Sequence, residues 1–92
     1  MILCLRDDVS TADTDDGMIL LDERAGRYWQ LNRTGALVLT LLRDGATPQQ
    51  VAKTLADRHG VSTEQAAADV AALVERLRIA GLVTYDHSRG RP

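Results

Sequence analysis

Ninety-two residues, 45% hydrophobic and 26% charged, suffice for one small folded domain with a single core. A net charge of −2 is the wrong sign for a protein built to hold a nucleic-acid backbone, and no apolar run is long enough to cross a bilayer. The single cysteine, Cys4, cannot form an internal disulfide, and Met1 leads straight into a short apolar run without the basic segment of a signal peptide, so the cytoplasm is the expected compartment.

Residues 2–6 (Ile-Leu-Cys-Leu-Arg) read as a first strand, apolar enough to be covered on at least one face. Residues 9–16 are rich in Asp and Thr and read as an exposed loop. Residues 17–22 (Gly-Met-Ile-Leu-Leu-Asp) form a second strand. The turn Glu23-Arg24-Ala25-Gly26 follows, with Gly26 where a hairpin needs a positive φ. The returning strand, 27–31, holds the only Trp and one of the two Tyr residues of a chain without Phe. Alternation puts Arg27, Trp29 and Leu31 on one face, and Tyr28 and Gln30 on the other.

Three helices complete the chain. Asn32 caps the first, which runs to about Asp44 and ends at Gly45. Thr47-Pro48-Gln49-Gln50 supplies a cap, a first-turn proline and a glutamine at the third position, the pattern of a capping box, and His59-Gly60 closes that helix. Ser62-Thr63-Glu64-Gln65 reads as a second box. Val70, Leu73, Val74 and Leu77 then recur at helical spacing until Gly81, and residues 82–85 add a short extended piece. The expected architecture is α+β: a three-stranded antiparallel sheet followed by three helices, with residues 86–92 as a flexible tail.

Little here supports catalysis. His59 and His87 stand apart from Cys4 and from paired carboxylates, and no three ligands share metal-binding spacing. Apolar neighbours make Cys4 a buried, inert thiol in this reading. Asp13-Thr14-Asp15-Asp16-Gly17 lacks the spacing and closing glutamate of a calcium loop, and the glycines form no phosphate cradle. No cofactor is expected. Three helices and a hairpin also suit a winged helix-turn-helix DNA binder. Its last helix, however, sets Glu64, Asp69 and Glu75 against Arg76 and Arg78, a poor surface for a polyanion. Trp29, beside Leu31, has core packing as its first role. The outermost strand still leaves unpaired backbone groups, which point to a module that binds a peptide. A scaffold that binds only folded partners is the other alternative.

The order and spacing of several segments resemble the PqqD family of peptide chaperones, and more closely its stand-alone relatives in lasso peptide biosynthesis. The segments are Gly17-Met18-Ile19-Leu20-Leu21-Asp22, Gly26-Arg27-Tyr28-Trp29-Gln30-Leu31-Asn32, Thr34-Gly35-Ala36, Asp44-Gly45, Thr47-Pro48-Gln49-Gln50-Val51-Ala52, Asp69-Val70 and Gly81-Leu82-Val83. The resemblance implies a precursor-peptide recognition element over residues 1–85, with a winged-helix-like fold that is not used on DNA. It implies that the leader segment of a ribosomally made precursor adds as a strand to the third predicted strand, its side chains entering a groove beside the last helix. It further implies a separate, cysteine-protease-like leader peptidase and a macrocyclase as onward partners. The residues expected to meet the leader are Arg27, Tyr28, Trp29, Gln30 and Leu31 on the strand, and Asp69, Ala72, Leu73, Arg76, Leu77 and Ala80 on the helix. There Leu73 and Leu77 would form an apolar floor, and the two alanines would leave room for a ring.

Overall fold

The computed structural model describes residues 2–86. The chain starts as β1 (Ile2–Leu5) and turns at residues 6–8, where the Val9 amide donates to the Arg6 carbonyl at 3.0 Å. It continues as β2 (Val9–Thr14), β3 (Gly17–Asp22) and β4 (Arg27–Asn32). Three helices follow, α1 (Arg33–Arg43), α2 (Pro48–His59) and α3 (Thr63–Ile79), and β5 (Val83–Asp86) closes the described chain.

The α+β class and the three-stranded antiparallel sheet are as expected, but the sheet is built from different strands. Its order is β2-β3-β4, so the segment read as an Asp- and Thr-rich loop is a strand. Only Val9 of β2 is buried, and the strand is held by backbone pairing to β3 from Val9↔Asp22 to Thr14↔Gly17. An edge strand of this kind carries little hydrophobic alternation to reveal it. The first predicted strand is not in this sheet. As β1 it pairs with β5 in a separate two-stranded sheet, from Ile2↔Asp86 to Leu5↔Val83. Asp86, first residue of the expected tail, therefore lies in β5, while the rest of that tail, with His87, lies outside the described residues.

Leu20 of β3, Leu31 of β4 and Val9 of β2 turn to one side of the sheet and join Val38, Leu39 and Leu42 of α1 in the core. Leu3 and Val83 join them from the smaller sheet, and Leu82 from just before β5. Cys4 is half-buried rather than enclosed.

Two glycines set the hairpin geometry. Gly17 has φ +149°, and a Cβ there would stand 2.0 Å from the Leu31 carbonyl oxygen, so only glycine lets β3 start this close to the end of β4. Gly26, at φ +68°, closes the β3–β4 turn, its amide donating to the Asp22 carbonyl at 2.8 Å. Inside that turn Asp22 is only 6% exposed, and its Oδ1 accepts from Arg6 Nη2 (2.8 Å), the Arg24 amide (3.1 Å) and the Ala25 amide (3.2 Å).

The helix starts follow the sequence, with one exception. Asn32 accepts from the Gly35 amide, and the Thr47–Gln50 capping box is complete in both directions. The box expected at Ser62 forms only by half. The Gln65 amide donates to Ser62 Oγ, but the Gln65 side chain turns forward and its Nε2 donates to Asp69 Oδ1 at 3.1 Å. The Asp69 carboxylate one turn along the helix draws the Gln65 amide forward as a donor, away from the Ser62 N–H from which its oxygen would accept in a full box.

Candidate functional site

β4 is an outer strand of the three-stranded sheet. On one side it pairs with β3, from Gly17↔Asn32 to Asp22↔Arg27; on the other, no described strand meets it. Alternate residues of such a strand aim N–H and C=O groups outward, where they can pair with an added chain.

The two faces of β4 differ. Towards the helices, Leu31 is buried and Trp29 half-buried, with the Arg27 guanidinium 5.5 Å from the Trp29 ring centroid. Tyr28 and Gln30 point to the far face of the sheet and are exposed. The strand residues named from the sequence therefore share one edge but not one face.

From the end of β4 a cleft of about 400 Å³ runs between α1 and α3. Asp69, Ala72, Leu73 and Arg76 of α3 line it, one side of the helix as their spacing requires. Asn32, at the end of β4, and Thr34 of α1 form the opposite rim, while Gly35, Val38 and Leu55 deepen the floor. The cleft thus combines an apolar base with separated charges. Asp69 holds the hydrogen bond from Gln65, whereas the Arg76 guanidinium has no ion-pair partner among the described residues.

Four of the six helix residues expected at the site meet in this cleft, and two do not. Leu77 is 4% exposed and sits in the core, because α3 turns that position towards the other elements. Ala80, the C-cap of α3, is half-buried against the core and is not part of the cleft lining. Thr34, Val38 and Leu55 were not legible as site residues, since they come from other helices and carry no distinguishing chemistry. Gly35 did carry a signal: a glycine in the first turn of a helix. A Cβ there would crowd Asn32 Oδ1 at 3.3 Å and Leu31 Cβ at 3.4 Å, where β4 runs into α1.

Among the described residues no three His, Cys, Asp or Glu side chains stand together as metal ligands, and no helix is long and apolar enough to cross a membrane.

The family model of coenzyme PQQ synthesis protein D (PqqD) matches residues 17–83, from the start of β3 to the start of β5. Among solved structures, lasso peptide synthetase B1 complexed with the leader peptide is 44% identical, covering 92% of this chain and 100% of that one, with a TM-score of 0.88. TbiB1 in complex with the TbiA(beta) leader peptide is 24% identical over 94% of this chain and 100% of that one, TM-score 0.79. The solution structure of the PqqD truncation of Methylobacterium extorquens PqqCD, a stand-alone recognition element for ribosomally synthesized and post-translationally modified peptides, is 21% identical over 91% of this chain and 89% of that one, TM-score 0.74. The last two similarities speak to the fold alone. No curated protein matches the chain.

Proposed function

This chain belongs to the PqqD family, and on that premise we propose that it binds the leader segment of a lasso precursor peptide as an added strand on β4 and presents it to a separate leader peptidase and to the macrocyclase, in the cytoplasm. The observation that carries this reading is the outer edge of β4, which no described strand meets and which ends at the α1–α3 cleft. Backbone hydrogen bonds along residues 27–31 give affinity that tolerates sequence, and the cleft adds selectivity by taking alternate leader side chains. Leu73 offers the apolar contact, while Asp69 and Arg76 stand ready for polar groups on the same stretch of leader. The domain itself supplies no reacting group. It holds the precursor in one extended conformation and raises its local concentration beside the enzymes that act on it.

Trp29, the only tryptophan, lies half-buried on β4, the strand the leader would join, and serves as the reporter. Titration with the leader held by lasso peptide synthetase B1, and with the TbiA(beta) leader, is expected to shift Trp29 emission saturably. Leu73→Ala is expected to weaken binding by about 1 kcal/mol or more, roughly fivefold, with an unchanged circular dichroism spectrum. No saturable binding of either leader rejects the proposal, and unchanged affinity in the variant removes Leu73 from the site.

A further inference from the structure

The far side of the three-stranded sheet is unlike an ordinary solvated face. Leu21, 41% exposed, and Tyr28, 68% exposed, are cross-strand partners there, and Ile19 lies opposite Gln30 in the next row. With Ser10, Thr11 and Ala12 of β2 they line a shallow concavity of about 380 Å³. None of these seven residues carries a charge. A sheet with one face on the core usually presents polar and charged residues to water on the other, so an apolar, uncharged row ending at an open edge calls for a partner.

The row ends at β4. A strand added to that edge continues the sheet, and its side chains must alternate between the two faces. One set falls towards the α1–α3 cleft. The other emerges on the far face, directly beside Tyr28 and Gln30, with Leu21 and Ile19 behind them. Cross-strand neighbours on one face are close enough for their chemistry to matter.

We infer that recognition is two-sided: the outward-facing residues of the bound leader are uncharged apolar side chains that pack on Tyr28 and extend the Leu21–Tyr28 row of the sheet. The inference rests on the leader-binding proposal and deepens it by assigning the alternate leader positions a chemistry. A charged residue at such a position meets no countercharge among the described residues lining this face and is desolvated beside Tyr28, so it is selected against. The exposure of Tyr28 is what separates this role from a structural one, because its ring contributes little to the core of the unliganded domain.

The experiment pairs Tyr28→Ala and Tyr28→Glu with the leader held by lasso peptide synthetase B1 and with versions of it carrying one lysine at each position in turn. Both variants are expected to keep the circular dichroism spectrum and melting temperature of the parent. Tyr28→Ala is expected to bind about threefold more weakly and Tyr28→Glu about tenfold. Lysine at one outward position should weaken binding to the parent and restore it in Tyr28→Glu, as expected of a cross-strand pair. Affinities of both variants equal to the parent, with Leu73→Ala still impaired, would overturn the two-sided account and leave leader binding intact. Loss in Tyr28→Glu that no lysine position repairs would overturn the pairing as well. If the parent binds no leader at all, the underlying proposal falls instead.

Discussion

Leu73 and Leu77 stand one helical turn apart on α3 and serve different ends. Leu73 borders the cleft, half-exposed, while Leu77 is enclosed among core side chains. Leu77→Ala is expected to lower stability by about 2–5 kcal/mol, the range for truncating a buried leucine, and urea unfolding measures it. The fraction still folded should bind the leader nearly as tightly as the parent. A loss of affinity without a loss of stability would place Leu77 at the site instead. Periodicity in the sequence set both leucines on the apolar side of one helix. It cannot say which flank of that stripe meets open space, because the answer depends on where α1 and α2 lie. For the same reason Val38 and Leu55 carried no sign of their place in the floor of the cleft, whereas the spacing of Asp69, Ala72, Leu73 and Arg76 did bring those four to one side.

The elements that hold β4 in place are tied by charge as well as by packing. Arg6, at the end of β1, donates to Asp8 at 3.0 Å and to Asp22 at 2.8 Å, and Arg24 reaches Asp8 at 2.9 Å. The β3–β4 turn is thereby fastened to the start of the chain. Burial raises the Asp8 pKa, but the hydrogen bond from Arg6 and the charges of Arg24 and Arg6 outweigh it and hold the carboxyl below its ordinary range. A group whose folded pKa is lowered contributes in full above its unfolded value, near pH 4, and loses that contribution as the pH falls through the lowered value. Urea midpoints should therefore hold from neutral pH down to about 5 as far as this group is concerned, then drop in more acidic solution. Asp8→Asn should be less stable at neutral pH and lack that part of the acid loss; an identical acid profile in parent and variant would contradict the assignment. The elements themselves were unequally legible. Helix caps at Asn32, Thr47 and Ser62 are written in side chains that bond to nearby amides, so they appear in the sequence. β2 is written in backbone pairing with a single buried side chain and leaves no local trace. Residues 2–6 and 82–85 did read as extended, but the pairing of β1 with β5 joins opposite ends of the described chain and is not written locally.

At the scale of the whole molecule, the fold divides its labour between two sheets. The β1–β5 pair joins the two ends of the described chain, and the β2-β3-β4 sheet carries β4 as an outer strand that no other described strand meets, its end beside a cleft. Family membership narrows what composition alone left open, since an acidic chain with no metal-binding cluster among its described residues is compatible with several kinds of protein. The family match, over residues 17–83, includes both the strand Arg27–Asn32 and the helix Thr63–Ile79, whose residues share the cleft at that strand's end. Amide hydrogen exchange of the full chain, read residue by residue by NMR with and without the leader, tests the central claim most directly. The account predicts that alternate amides of β4 slow markedly when the leader is added, while those on the free edge of β2 keep their rates. Leader binding registered by Trp29 without any slowing in β4, or with the protection falling on β2, would contradict it.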